Sequence, residues 1–329
     1  MSGSGATHSA MRRRGRAKSL ALLAFVFVGS CFPGLVGWRA ASLRAVPDLE
    51  QFTTPTPVHV RETQETEEGR TVVRLVFPVD PSLPGPRGEL NVYLYRPEGV
   101  PPHPTLLVLP TLGGRYRLSK FLAGHFAEGG RLVVRLERRG ALIDSRAGIT
   151  AARHALQGAV IDARLVLDWL AQHSLSDPQR TAIMGVSAGA ILAALVAGID
   201  ERISAAAFIL GGGNLAEITL EARGSGLARL RDGVAKMRPA IWGSLEAHLH
   251  DLLDDVDPLS YAGRLPPERL LMINGLFDVV VPRRCYLALW EAWGEPRLLE
   301  LPAGHFTSLP FLPLVLHYLD EHFERWLGP

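Results

Sequence analysis

A serine between two glycines is the residue that points most directly to chemistry. Residues 185–189 read Gly-Val-Ser-Ala-Gly, so Ser187 has a glycine two positions away on each side. A serine on a sharp turn between a strand and a helix sits in a strained backbone, and only small neighbours avoid collisions there. Such a turn exposes the hydroxyl and directs the backbone N–H of the next residue, Ala188, toward a developing oxyanion. The motif therefore predicts a nucleophilic serine with Ala188 as one oxyanion donor.

A serine hydroxyl needs a base to remove its proton. The chain has eleven histidines, and we choose among them by their place relative to the predicted strands. His305 directly follows the apolar run Leu298–Leu301, which predicts a loop at the carboxyl end of the last strand. In a parallel sheet this edge is where ligands and reacting groups collect, and the same edge carries Ser187. We therefore predict that His305 is the base.

The acid that would orient this base is expected on the equivalent loop of the preceding strand. Asp278 lies there, a few residues after the apolar run Leu270–Ile273. An ionised carboxylate holds an imidazole in the required tautomer and stabilises the imidazolium that forms. Glu217, which follows the strand before that one, is the second candidate for the acid.

Each of these residues also has a purely structural interpretation. Ser187 is compatible with a plain helix N-cap, and Asp278 with the cap of a helix that begins near Arg283. His305 is compatible with an ordinary surface loop.

Short apolar runs and longer helical patterns alternate along the chain and would position these residues. Runs without polar alternation are typical of strands buried on both faces of a parallel sheet. They cover residues 105–109, 132–136, 181–184, 203–210, 270–273 and 298–301. Helical patterns cover residues 155–172, 188–199, 284–293 and 311–327. The alternation predicts an α/β fold with a mostly parallel, twisted sheet of about eight strands and helices on both faces.

Two segments depart from this alternation. Residues 71–78 and 90–95 alternate apolar and polar side chains, which predicts an antiparallel pair joined by the turn-rich stretch 80–88. Residues 213–262 separate two predicted strands and contain amphipathic patterns at 227–237 and 241–253. A connection of this length predicts a helical cap or lid insertion, and packing against the body is the alternative.

The N-terminus has the composition of a targeting segment. The basic stretch at 12–18 precedes the apolar run Leu20–Val28, as in a secretory signal. The tetrad Val-Gly-Ser-Cys ending at Cys31 resembles a bacterial lipobox, which would make Cys31 a lipidation site. Cleavage elsewhere, or an uncleaved anchor running to Trp38, is the alternative. We expect residues 1–40 to be a signal peptide or membrane anchor, followed by a linker at 41–70 and one domain at 71–329.

This segment predicts an exported protein of the cell envelope, attached to the membrane through its N-terminus. The remaining composition is ordinary for a globular domain, with 47% hydrophobic and 21% charged residues. A net charge of +2 gives no electrostatic basis for binding nucleic acid. The two cysteines are too few for a disulfide framework or a zinc site. We find no phosphate-binding glycine loop, and we predict neither a metal nor an organic cofactor.

Four short motifs together resemble the α/β-hydrolase superfamily, from about Thr71 to the C-terminus. They are Asp177-Pro-Gln-Arg leading to the serine motif, Asp257-Pro-Leu-Ser-Tyr, Asn274-Gly to Pro282, and Ala303-Gly-His-Phe. The order Ser187, Asp278, His305 is also that of this superfamily's triad. Within it, the chain is most similar to bacterial dienelactone-hydrolase and prolyl-oligopeptidase-like esterases. The resemblance implies the α/β-hydrolase fold and cleavage of a small-molecule ester through an acyl-enzyme.

The resemblance also implies an oxyanion loop after the third strand of that fold. Related families often have His-Gly there, whereas this chain reads Pro-Thr-Leu-Gly-Gly at 110–114. The matching backbone donor would be Leu112, with Thr111 as the next candidate. This departure leaves the identity of the second donor open and leaves the Ala188 donor unaffected.

Substrate identity rests on weaker signals. Arg115, Arg117, Arg138 and Arg139 follow two predicted strands whose carboxyl ends should border the pocket. They would bind a carboxylate or phosphate on a substrate, or they are solvated loop cations. A peptidase or amidase with the same triad is an alternative to an esterase. An inactive envelope-bound binding protein of the same fold is a third interpretation.

Overall fold

The structure is a computed structural model that describes residues 49–55, 59–112, 116–144, 146–221, 226–236 and 244–328. The predicted signal peptide or anchor, the candidate lipidation site Cys31 and the candidate substrate-binding residue Arg115 lie outside these ranges. Among the helices of the described residues, none combines the length and hydropathy that a membrane span requires.

One nine-stranded sheet forms the centre of the fold. The strands are β1 (Arg61–Glu67), β2 (Arg70–Phe77), β3 (Leu90–Tyr95), β4 (His103–Leu109), β5 (Leu132–Leu136), β6 (Ser176–Val186), β7 (Ala205–Ile209), β8 (Leu270–Gly275) and β9 (Arg297–Leu301). Their order across the sheet is β1-β2-β3-β5-β4-β6-β7-β8-β9. Strands β4 to β9 are parallel to one another, whereas β1, β2 and β3 pair antiparallel. The mostly parallel sheet and the antiparallel β2–β3 pair are confirmed.

Strand β1 corrects the sequence analysis, which assigned residues 41–70 to a linker. Its sequence Arg-Glu-Thr-Gln-Glu-Thr-Glu contains no apolar residue, because every residue of this edge strand except Glu67 is exposed or half-buried. Its last residue, Glu67, is buried and accepts hydrogen bonds from Arg135 at 2.8 Å and from the Tyr95 hydroxyl at 2.5 Å. Ion pairing with the fully buried Arg135 of β5 therefore stabilises a strand that hydrophobic patterning does not reveal.

The segment before β1 is also part of the fold. Phe52 is fully buried and packs edge-to-face on Tyr261 with 5.8 Å between the ring centres. The carbonyl of Phe52 accepts a hydrogen bond from Arg164 at 2.6 Å, and that of Gln51 accepts one from Gln157 at 2.9 Å. Residues 49–55 therefore dock on the helix that carries Arg164.

Helices cover both faces of the sheet, as predicted. They are α1 (Arg117–Ala127), α2 (Gly148–Gln172), α3 (Ala188–Ile199), α4 (Leu215–Glu221), α5 (Gly226–Lys236), α6 (Leu245–Leu253), α7 (Arg283–Ala292) and α8 (Leu312–Leu327). One hydrophobic core includes side chains of α2, α3 and α7, and a second includes side chains of α1 and α8. Helix α1 had not been predicted, although Leu118, Leu122 and Phe126 recur at the helical spacing of four residues.

The insertion at 213–262 contains α4, α5 and α6, followed by short 3₁₀ turns at Asp254–Val256 and Pro258–Tyr261. Helices α5 and α6 bury Leu230, Val234, Leu249 and Leu253 in the core shared with α2. The buried carboxylate of Asp257 accepts backbone N–H groups of Asn214 at 3.0 Å and of Leu215. The two ends of the insertion are thereby joined, and its apolar faces pack on the body of the domain.

A buried histidine links α8 to the sheet. His322 is 5% exposed, and its Nε2 lies 3.1 Å from the carbonyl oxygen of Ala206 on β7. Burial lowers the pKa of His322 to about 4, because the protonated ring would lose its hydration.

This histidine predicts a pH dependence of the free energy of unfolding. An unfolded histidine takes up its proton near pH 6.5, whereas the folded chain leaves His322 neutral down to about pH 4. The unfolded state binds more protons in this window, so stability falls as the pH drops from 6.5 to 4, by up to about 3 kcal/mol. We expect a less steep loss in His322→Gln when unfolding is measured with denaturant across this range.

The exposed His154 provides the matched control. His154→Gln should keep the pH dependence of the wild type. The assignment is wrong if the two variants respond to pH identically.

Candidate active site

Ser187 lies on the turn between β6 and α3, in a backbone conformation that few residues adopt. Its φ is 58° and its ψ is −121°, and its N–H donates to the carbonyl of Ile209 at 2.8 Å. A Cβ atom at Gly185 would lie 2.1 Å from the carbonyl oxygen of Gly189. The glycines therefore permit a backbone approach that any side chain would block, and the turn leaves Ser187 half-buried at the carboxyl edge of the sheet.

His305 lies on the loop after β9, as predicted, and its ring reaches the serine. The distance from His305 Nε2 to Ser187 Oγ is 2.8 Å. The residue is 9% exposed, and its carbonyl accepts the Ser308 hydroxyl at 3.0 Å. The imidazole is thus held at hydrogen-bonding distance from a hydroxyl that solvent still reaches.

Asp278 lies on the loop after β8 and contacts the other nitrogen of the same ring. The distance from Asp278 Oδ2 to His305 Nδ1 is 2.7 Å. The other oxygen, Oδ1, accepts the backbone N–H groups of Val280 at 2.8 Å and Val281 at 2.9 Å. The carboxylate therefore does bond the turn that precedes α7, and at the same time it fixes the orientation of the imidazole.

Backbone pairing holds the acid and base loops together. Leu276 donates to the carbonyl of Leu301 at 2.9 Å, and Phe277 donates to that of Ala303 at 3.0 Å. A Cβ atom at Gly275 would lie 2.5 Å from the carbonyl oxygen of Ala303. Asp278 and His305 are brought into contact by this close approach.

Glu217, the second candidate for the acid, is engaged elsewhere. Its carboxylate accepts hydrogen bonds from Asn214 at 3.1 Å and from Arg284. The carboxylate at His305 belongs to Asp278.

The two candidate oxyanion donors flank the serine turn. Ala188 is the first residue of α3, where a backbone N–H has no acceptor within its own helix. Leu112 is 40% exposed and lies on the loop that follows β4. That loop touches the same turn, because a Cβ atom at Gly189 would lie 2.9 Å from the carbonyl oxygens of Leu109 and Pro110. The first turn of α3 and the start of the loop after β4 therefore lie against each other at the carboxyl edge of the sheet.

The arginines considered for substrate binding have different surroundings. Arg117 is exposed at the start of α1. The side chain of Arg139 is buried, and it donates to Asp162 at 2.8 Å and to the carbonyls of Pro86 at 2.8 Å and Pro84 at 2.9 Å. Arg138 donates through Nη1 to the carbonyl of Thr111. Arg139 is thus a structural cation, which the sequence alone did not distinguish from its neighbour.

Large exposed apolar side chains lie on the loops that carry Asp278 and His305. Phe277 is 69% exposed, Val279 67%, Phe306 83% and Leu309 65%. The ring centres of Phe306 and His305 are 5.2 Å apart. We call Phe277, Val279, Phe306 and Leu309 the apolar rim. The sequence analysis did not predict it. Apolar residues directly beside Asp278 and His305 in predicted loops were the available signal.

Within the described ranges, no group of three or more histidine, cysteine, aspartate or glutamate side chains is arranged to hold a metal ion.

Comparison with known proteins identifies the fold. No protein-family model matches the chain. Two uncharacterized proteins of Mycobacterium tuberculosis, from strains CDC 1551 / Oshkosh and H37Rv, are 30% identical over 174 residues. The matched region is 51% of this chain and 38% of each relative, so the chain spans well under half of their length.

Solved structures resemble the chain over most of its length. An acetyl xylan esterase from Paenibacillus sp. R4 superposes with a TM-score of 0.66 at 19% identity, covering 83% of this chain and 90% of the esterase. A puromycin-hydrolyzing peptidase of Mycobacterium tuberculosis superposes with a TM-score of 0.53 at 19% identity, covering 82% of this chain and 40% of the peptidase. These likenesses establish that the chain has the α/β-hydrolase fold.

The close backbone contact at the serine turn leads to a testable expectation. Gly185→Ala should destabilise the protein by about 3 kcal/mol or more, because the new Cβ would collide with backbone atoms of Gly189. Thermal unfolding monitored by circular dichroism measures the change.

Gly233→Ala is the matched control, since a Cβ there meets nothing within 4 Å and Gly233 lies inside α5. It should stabilise the protein by about 0.5–1 kcal/mol, the usual gain from replacing a helical glycine. Equal effects of the two substitutions would contradict the steric account of the turn.

Proposed function

We propose that this chain, whose fold is that of the α/β-hydrolases, is a serine hydrolase that cleaves a carboxylic ester through an acyl-enzyme. The observation that carries the proposal is one continuous series of hydrogen bonds, with Ser187 Oγ 2.8 Å from His305 Nε2 and His305 Nδ1 2.7 Å from Asp278 Oδ2. A hydroxyl, an imidazole and a carboxylate in this order have the geometry that activates a serine.

The carboxylate determines which nitrogen of the imidazole can act as a base. An ionised carboxylate only accepts hydrogen bonds, so the proton between Asp278 and His305 belongs to Nδ1. Nε2 then carries the lone pair and accepts the hydrogen bond from the Ser187 hydroxyl. Burial of Asp278, which is 7% exposed, keeps water from competing for this pairing.

The reaction follows from this arrangement in two halves. Ser187 Oγ attacks the ester carbonyl carbon while His305 Nε2 takes the hydroxyl proton. The tetrahedral oxyanion is held by the backbone N–H groups of Ala188 and Leu112. The intermediate then expels the alcohol, which receives the proton from His305. In the second half, His305 activates a water that attacks the acyl carbon, and Ser187 regains its proton as the acid leaves.

The apolar rim favours an ester with an apolar group. Large exposed apolar side chains beside a reacting centre typically mark a binding surface. Phe306 and Phe277 adjoin the base and the acid, so an alkyl or aryl group on the ester can pack on them while its carbonyl reaches Ser187.

An amidase or peptidase would use the same three side chains, and the puromycin-hydrolyzing peptidase that superposes on this chain has the same fold. A matched ester and amide of one acyl group separate the two activities directly.

Replacing the nucleophile tests the central assignment. Ser187→Ala should lower kcat on a p-nitrophenyl ester by about 10⁶-fold, which is the scale seen when a triad serine is lost. A fluorophosphonate probe should label the wild type at Ser187, as peptide mass spectrometry would show, and leave the variant unlabelled.

Ser82→Ala, at an exposed serine that precedes β3, is the control and should retain wild-type turnover. Wild-type turnover in a folded Ser187→Ala protein would refute the mechanism. A wild type that neither reacts with the probe nor hydrolyses any ester would favour the inactive binding protein.

The apolar rim makes a separate prediction about chain length. Phe306→Ser should lower the preference for p-nitrophenyl octanoate over the acetate, measured as the ratio of their kcat/KM values. Burial of one methylene contributes about 0.8 kcal/mol, so the ratio should fall about four-fold for each methylene that is no longer buried. Val100→Ser is the control, because Val100 is 89% exposed and precedes β4 at the opposite edge of the sheet. A ratio unchanged by Phe306→Ser would exclude this role.

A further inference from the structure

We infer that Arg138 is a positioning residue that orients the Leu112 N–H toward the oxyanion. The inference rests on the proposed function, since it concerns a donor of that same site. It gives Arg138 a role different from the binding of an anionic substrate.

The pairing of two neighbouring strands places Arg138 beside Thr111, on the loop that carries Leu112. Strands β4 and β5 are parallel neighbours in which Val108 pairs with Arg135. Thr111 and Arg138 each follow three residues beyond that pair, so they leave the sheet side by side. The guanidinium Nη1 of Arg138 donates to the carbonyl oxygen of Thr111.

The hydrogen bond acts on a rigid unit. The Thr111 carbonyl and the Leu112 N–H belong to one peptide group, which is planar and trans, so its C=O and N–H vectors point in opposite directions. A donor that binds the carbonyl on the β5 side therefore turns the Leu112 N–H away from β5. The strand on the other side of β4 is β6, which ends at the Ser187 turn.

A second contact joins the same guanidinium to the far end of the loop. The guanidinium carbon of Arg138 lies 5.5 Å from the ring centre of Tyr116, within the range of a cation–π interaction. Tyr116 has a φ of 61° and precedes α1, which has no side-chain cap there. Arg138 thus contacts residues on both sides of the loop's glycines.

Steric contact limits the loop on its other side. A Cβ atom at Gly189 would lie 2.9 Å from the carbonyl oxygen of Pro110, so α3 already touches the start of the loop. Contact with α3 at Pro110 and the hydrogen bond from Arg138 at Thr111 therefore restrain two consecutive peptide groups of the loop. Arg139, the next residue, donates to Asp162 and to two carbonyls of another loop, so it does not orient the Thr111–Leu112 peptide.

Substitution of Arg138 should change the rate of the chemical step more than substrate binding. We expect kcat for a neutral p-nitrophenyl ester to fall 10- to 100-fold in Arg138→Met, with KM within about two-fold of the wild type. Complete removal of an oxyanion donor costs about 10²–10³-fold in kcat, and misorientation should cost less. The rate of fluorophosphonate labelling should fall in parallel, because that reaction also develops charge on an oxygen at this site.

Arg87→Met is the matched control, an exposed arginine on a different loop, and should leave kcat unchanged. Arg138→Lys should recover part of the loss, since an ammonium can reach one carbonyl but lacks the planar fork. Added guanidinium ion at low millimolar concentration should raise kcat of Arg138→Ala. The thermal midpoint of each variant is measured alongside, so that a loss of folded protein is not read as a loss of rate.

Three results would overturn the inference. They are an unchanged kcat in folded Arg138→Met, a rise in KM confined to esters that carry a carboxylate or phosphate, and a loss of kcat that only follows a lower thermal midpoint. Failure of the proposed function gives a different pattern, in which Ser187→Ala keeps its turnover or the wild type is not labelled.

Discussion

The close approach of two backbone segments at the β6–α3 turn is the constraint on which the site depends. Gly185 and Gly189 allow their main chains to touch where a single methyl group would not fit. Ser187 is thereby held at positive φ with its hydroxyl outward. The absence of a side chain at Gly189 also lets the loop after β4 lie against α3. One steric requirement therefore sets both the position of Ser187 and the location of the loop that carries Leu112.

Parallel strands bring the other groups to the same edge. Because β6, β8 and β9 all run in one direction, the loops that follow them share one end of the sheet. The loops that carry Asp278 and His305 then pair through their own backbones, and the two N–H groups at Asp278 Oδ1 leave its other oxygen for His305. The relative positions of these side chains are thus maintained by several main-chain contacts, which few side-chain substitutions would disturb.

The central strands and the positions of Ser187, Asp278 and His305 were predictable because each leaves a local signal. The apolar run of β8 marks a strand buried on both faces, and the run of β9 marks a half-buried edge strand. Asp278 and His305 lie on the loops that follow these two strands. Strand β1 left no such signal, since its buried end is an ion pair with Arg135, a residue distant in sequence. The distinction between Arg138 and Arg139 likewise depends on partners from other elements, which no local pattern encodes. The residues of the apolar rim are visible in the sequence, but a binding role can be inferred only when the fold shows that they lie together beside Asp278 and His305.

The polar character of β1 has a consequence for how the molecule behaves at high concentration. An edge strand presents unpaired main-chain groups that can recruit a strand from another molecule and start a fibre. Here that border carries Arg61, Glu62 and Glu65, and each of these side chains forms an ion pair within its own molecule. A strand arriving from a second copy would have to strip hydration from these charges. The charged residues that kept β1 from being predicted thus also oppose the addition of a strand, and amyloid-like stacking, at this edge of the sheet.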